Sequence, residues 1–262
     1  MNLDTFNKFS TAKIKFADRP VEEFLKSKDT IQYLLASNGL FILVNLLSFA
    51  VLKQTNITYK YFNNDLVELN EDVFIKFPKI PIKVLSEVVD IFSSYSHEVY
   101  CVLYYDRKRR SFVLHFPEQK CTSASVQYNR NNNKYAQEPD RYLKCIDFHS
   151  HPFSHGCYGH SVNHSSVDVR DSLENLCISC VVDPKIGICA STFKFEAPVP
   201  IIKEFITISE SKILDLESSK FKVEIDYDPE RIEYSELDKN EIIEDHDDYC
   251  PTDEFVRMIK GF

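Results

Sequence analysis

Five of the chain's eight histidines fall within 16 residues: His149, His151, His155, His160 and His164. Each neutral imidazole brings one donor and one acceptor that need partners, so a group this tight is poor core filler and well suited to holding a metal. The run Ile146-Asp147-Phe148-His149-Ser150-His151-Pro152 reads as the end of a strand. Residues two apart on a strand project to the same side, so His149 and His151 can face one cation, and Pro152 stops the strand just beyond them. Further on, Ser165 or a neighbour can cap a helix that carries Asp168 on its first turn as an oxygen ligand. Two histidines, one carboxylate and an open fourth position are the ingredients of a catalytic zinc site. Zinc lowers the pKa of its water to about 7 and polarises a carbonyl. A separate acid on a neighbouring strand must then act as general base.

The elements that have to position these groups are legible in outline. Leu143–Phe148 is a short apolar strand delivering the chain to the histidines. Glu98–Tyr105 and Ser111–Phe116 are two further strands joined by the basic turn Asp106–Arg110. Before them, Ile82, Leu85, Val88, Val89 and Phe92 have the spacing of an amphipathic helix over Ile82–Ser93. A short helix near Arg19–Lys26 is opened by Pro20. Thr30–Leu52 carries no charge and is long enough to cross a bilayer. Asn38-Gly39 in its middle, flanked by apolar runs, favours a β-hairpin with a type I′ turn. Residues 129–140 read as a polar loop, and Leu176–Val182 as an apolar strand that makes the two sulfurs of Cys177-x-x-Cys180 diverge, in a structural role.

The 262 residues, 44% hydrophobic and 27% charged, are those of a globular protein of one large or two modest domains. The net charge of −9, with no basic run beyond Arg107–Arg110, argues against nucleic-acid binding. Eight scattered cysteines and an N-terminus, Met1-Asn2-Leu3-Asp4, without the features of a signal peptide point to a reduced, cytoplasmic protein. Between 224 and 254 there are 14 acids against Arg231 and Lys239, which reads as a solvated acidic tail or as a docking segment.

His149-Ser-His151-Pro152 followed by Ser165-x-x-Asp168 resembles the metal-binding signature of the JAB/MPN (JAMM) zinc metalloproteases, which remove ubiquitin and ubiquitin-like tags. The resemblance is closer to a prokaryotic branch, the PRTRC system protein A group. It extends over Tyr33–Phe41, Pro117-Glu-Gln119 and Ala124–Tyr128, and so covers about residues 30–200. It implies that His149, His151 and Asp168 ligate Zn²⁺ and that Ser165 steadies the oxyanion. It also implies that Glu98, at the head of a strand beside the His149 strand, is the general base. Glu118 and Glu87 are rival upstream acids. The partners implied are a ubiquitin-like protein with its conjugates and an E1-like adenylating enzyme, with no membrane. The implied fold is α/β (α+β-like): a mixed, curved β-sheet flanked by helices around an MPN/JAB-like (cytidine-deaminase-like) core. An N-terminal extension with the hairpin would occupy 1–80, the metalloprotease domain 81–200, and an acidic segment, partly helical or disordered, 201–262.

The chain departs from the family in the twelve residues between Pro152 and Ser165, an insertion that could serve as a lid or offer His155, His160 or His164 as a competing ligand. Two other functions compete. One is a catalytically inactive MPN-like scaffold. The other is a metal-dependent phosphoesterase or amidohydrolase, in which Asp147-x-His149-x-His151 would open a barrel. Only 111 residues follow His151, too few to finish a barrel of about 250.

Overall fold

The uncharged run from Thr30 to Leu52 folds as strands. In the computed structural model, which describes residues 13–56, 65–122, 125–128, 133–151, 173, 175–184, 192–216 and 220–235, β1 (Lys13–Phe16) and helix α1 (Val21–Leu25) precede β2 (Ile31–Ala36), β3 (Gly39–Asn45), β4 (Phe49–Gln54) and β5 (Asp72–Ile75). These five strands form one sheet in chain order. The hairpin is present, but Ala36 pairs with Gly39, so its turn residues are Ser37 and Asn38 rather than Asn38 and Gly39. Gly39 has φ of 148°, a value that favours glycine. Asn38 works through its side chain instead, donating to the Leu69 carbonyl at 2.7 Å and accepting from the Leu69 N–H at 3.2 Å.

Both faces of this sheet are covered. Ile42, Val44, Phe49 and Val51 join the main core, while Phe41, Leu43, Ala50 and Leu52 pack with Phe24 of α1 in a second cluster. A strand buried on both faces needs apolar residues at every position. That removes the alternation and gives the stretch its resemblance to a membrane span. Among the described residues no helix is long and apolar enough to cross a membrane.

After β6 (Ile80–Pro81) comes α2 (Ile82–Phe92), the expected amphipathic helix, which buries Val84, Leu85, Val88 and Phe92. It is the only described helix longer than five residues. The chain continues through β7 (Tyr100–Asp106), β8 (Ser111–His115), β9 (Gln119–Cys121), β10 (Val126–Tyr128), α3 (Lys134–Gln137) and β11 (Tyr142–Ser150). Then come β12 (Ile178–Asp183), β13 (Thr192–Val199), β14 (Glu204–Ile208), α4 (Glu210–Ile213), β15 (Leu214–Asp215), β16 (Val223–Asp226) and β17 (Ile232–Tyr234). The architecture is mixed α/β, rich in strands and poor in helices. Where one curved sheet was expected there are several. The largest has seven strands in the order β14-β13-β12-β11-β7-β8-β16, with β11–β12 and β8–β16 parallel. A three-stranded sheet, β10-β9-β17, and the pair β15-β6 complete the set.

The two faces of the seven-stranded sheet differ in chemistry. One carries Cys101, Leu103, Leu114, Ile146, Phe148, Cys180 and Val182 and packs with α2 and the five-stranded sheet in the main core. On the other, the registers align a transverse row: Asp226, His115, Val102, Asp147, Ser179, Glu196. His115, Asp147, Ser179 and Glu196 of this row are buried. Burying such groups is unfavourable unless they are paired. His115 meets Asp226 at 3.0 Å, Lys144 meets Asp147 at 2.6 Å, and Lys194 meets Glu196 at 2.9 Å.

The expectation of a solvated acidic tail from 224 onward does not hold for the part described. β16 is an edge of the seven-stranded sheet and β17 an edge of the three-stranded one. Asp226 accepts from Arg231 at 2.9 Å and from the Tyr135 hydroxyl at 2.9 Å, with Lys134 at 3.2 Å. Burial alone would raise its pKa, but these donors hold it far below the usual carboxylate range. A depressed carboxylate contributes stability above its unfolded pKa of about 3.9, lost as pH falls through the lower folded value. Asp226→Asn is therefore expected to cost about 2–3 kcal/mol at pH 7 and to flatten the loss of urea stability between about pH 4 and pH 2. A variant with the wild-type acid profile would remove Asp226 from this role.

Candidate functional site

β11 brings two of the expected ligands together. His149 and His151 lie on the same side of the strand, with ring centroids 5.1 Å apart and planes inclined by 55°. His149 is buried between cross-strand neighbours Tyr100 on β7 and Val181 on β12. His151, half-buried, donates its N–H to the Val182 carbonyl at 3.1 Å. Both imidazoles thus sit on the polar face, across the sheet from the main core.

Ser150, between them, is tied at two points to the neighbouring chain. Its N–H donates to the Val99 carbonyl at 2.9 Å, and its Oγ accepts from the Val99 N–H at 2.9 Å. Continuing the β7–β11 register past His149–Tyr100 sets Glu98 opposite His151. Glu98 precedes by two residues Tyr100, the cross-strand neighbour of His149. The Glu98 N–H donates to the Thr122 carbonyl at 3.0 Å, and its side chain is half-buried. The rival acids are placed less well. Glu87 lies on α2, which packs on the opposite face of the sheet, and pairs with Lys83 at 3.7 Å. Glu118 follows β8, separated from β11 by β7, and lines a pocket with His115, Lys134, Asp226 and Arg231.

Several groups on the polar face around the histidines are paired. Asp147 accepts from the Tyr100 hydroxyl at 2.8 Å and from Lys144 at 2.6 Å, one partner on each oxygen. Burial and the Asp147 charge push the Tyr100 phenol well above its ordinary pKa, so it stays a neutral donor. Burial disfavours the Lys144 ammonium, but Asp147 together with Cys177, Tyr128 and Tyr104 outweighs that and raises its pKa. Tyr128 stacks on Tyr100 at 4.1 Å and 12°. Next to Glu98, His97 lies between Tyr95 and Tyr234, with ring distances of 5.1 and 5.0 Å. Burial lowers its pKa, and its buried Nε2 has no hydrogen-bond partner among the described residues. With both oxygens occupied, Asp147 is poorly disposed to open a phosphoesterase site. The seven-stranded sheet is also open and mixed, unlike the closed barrel that reading requires.

Ser165, Asp168 and the inserted loop 153–164 lie outside the described residues, as does the chain from 236 onward. Among the described residues no group of three or more His, Cys, Asp or Glu is gathered as a metal site. Cys177 and Cys180 do occupy different surroundings. Cys180 is in the main core, and Cys177 gives its thiol to the Cys145 carbonyl at 3.5 Å. No local pattern gave Tyr100 or Lys144 a role, and Gln119 figures only within the Pro117-Glu-Gln119 stretch of the resemblance. The period-two spacing of Tyr100, Val102 and Tyr104 against Cys101 and Leu103 was the available signal for Tyr100. No protein-family model and no curated protein matches the chain.

Proposed function

We propose that the chain is a zinc-dependent peptidase or isopeptidase that cleaves at the C-terminus of a ubiquitin-like modifier, on an MPN/JAB-like core in the cytoplasm. The observation that carries this is the pairing of His149 and His151 on one sheet face, with Glu98 in register beside them. Imidazole and carboxylate donors suit zinc, and His149, His151 and Asp168 would hold it. When bound, zinc supplies a Lewis acid and lowers the pKa of water.

The remaining steps belong to the chain's own side chains. The Glu98 carboxylate takes a proton from the attacking water and returns it to the leaving amine nitrogen. The Ser165 hydroxyl donates to the oxyanion that develops on the substrate carbonyl. The Ser150 clasp on Val99 fixes the spacing between the base and the two histidines. The modifier and its conjugates are the partners, with an E1-like adenylating enzyme acting in the opposite direction. An inactive MPN-like scaffold would need neither a base nor such a clasp.

The test is hydrolysis of a ubiquitin-like protein fused through its C-terminus to a reporter. The expected result is cleavage after the modifier's last residue, abolished by a chelator and restored by zinc. A protein that carries zinc but hydrolyses no such fusion would favour the scaffold.

A further inference from the structure

We propose that Gln119 is a positioning residue for Glu98, an assignment that rests on the function proposed above. β7 has two neighbours. At its first residues, the β11 side is served by Ser150, which bonds Val99. The opposite side belongs to β8, whose last ladder pair is Val102–His115. Two residues further along that register, Tyr100 faces Pro117, which has no N–H to give.

The Gln119 side chain fills the gap with its own amide. Its Oε1 accepts from the Tyr100 N–H at 2.9 Å, and its Nε2 donates to the Tyr100 carbonyl at 2.9 Å. The remaining capacity is also used: Nε2 donates to the Pro117 carbonyl at 3.2 Å, and Oε1 accepts from the Cys121 thiol at 3.4 Å. Only 3% of the residue is exposed. An amide offers one acceptor and a two-hydrogen donor on one planar group, so it meets the N–H and the carbonyl of one peptide residue at any pH, where a carboxyl group does so only when protonated. One residue beyond the end of β9, the Thr122 carbonyl accepts from the Glu98 N–H. Residues 98–100 are therefore gripped from the β9 side by Gln119 and Thr122 and from the histidine side by Ser150. Release of the Gln119 grip frees the segment carrying the base while leaving both imidazoles at the end of β11. Misplacing a catalytic group by about 1 Å costs on the order of 100-fold in rate.

The experiment compares Gln119→Met, which keeps volume and loses the amide, with Gln119→Glu. Hydrogen exchange at Tyr100 and turnover of the reporter fusion are both measured. In Gln119→Met, the Tyr100 amide is expected to exchange at least about 10-fold faster, with the β2–β3 hairpin unchanged as a check on folding. Zinc content and KM should stay near wild type while kcat falls about 10–100-fold. Gln119→Glu should regain protection of Tyr100, relative to its intrinsic exchange rate, only at acid pH, where the protonated carboxyl can donate to the Tyr100 carbonyl. Unchanged exchange in both variants, or faster exchange with wild-type kcat, would overturn the proposal. A wild-type chain that takes up no zinc would instead overturn the functional reading, and the exchange comparison would still decide whether this amide holds residues 98–100.

Discussion

Replacing His149 with alanine is expected to reduce bound zinc from about one per chain to a small fraction, and to abolish hydrolysis with it. Losing an outer-shell partner of a metal ligand costs about 10–100-fold in affinity, and losing the ligand itself should cost more. His149 is buried beside His151, with the rings 5.1 Å apart, so its removal leaves one imidazole and one carboxylate to hold the ion. Two protein ligands are too few for a zinc site of the catalytic type. Elemental analysis after dialysis checks the result, with circular dichroism confirming that the β-sheet signature persists. Undiminished zinc in a folded His149→Ala variant would strike this histidine from the ligand set.

The second large effect concerns the base. Glu98→Gln keeps the shape of the side chain and removes its capacity to accept a proton. Turnover is expected to fall about 10²–10⁴-fold, the usual contribution of general acid–base catalysis, with zinc content unchanged. Glu118→Gln should stay close to wild type because β7 intervenes between β8, which Glu118 follows, and β11. Glu87→Gln should do the same because α2 covers the other face. Full activity in Glu98→Gln, or a collapse in Glu118→Gln, would transfer the role.

The parts of this molecule that were legible in the sequence are those where one short-range rule dominates. The α2 pattern marks a helix with a single buried stripe. The Asp106–Arg110 turn lies between two runs of apolar residues, and Asp106 closes it by accepting from the backbone N–H groups of Lys108 and Arg109. The His149/His151 pair follows from strand periodicity alone. The turn of the first hairpin slipped by one residue because Asn38 is engaged through its side chain with Leu69, a contact across 31 positions that no local pattern carries.

The segment around β16 was obscured by its charge. Val223-Glu-Ile225-Asp alternates as a strand should, yet the density of acids suggested solvent. What the composition could not convey is that Asp226 meets a histidine, a tyrosine, an arginine and a lysine drawn from three other stretches of chain. Long-range pairing also decided the site. Ser150 and Gln119 stand in stretches that carry the resemblance, but only the register shows that each replaces or reinforces a backbone bond at the start of β7.

The most direct measurement of the central claim is anomalous diffraction at the zinc edge from crystals of the zinc-loaded chain. One strong peak is expected between the His149 and His151 imidazoles, with the Asp168 carboxylate as third protein ligand and the fourth direction open. A peak elsewhere in the molecule, none at all, or one enclosed by four protein side chains would contradict it.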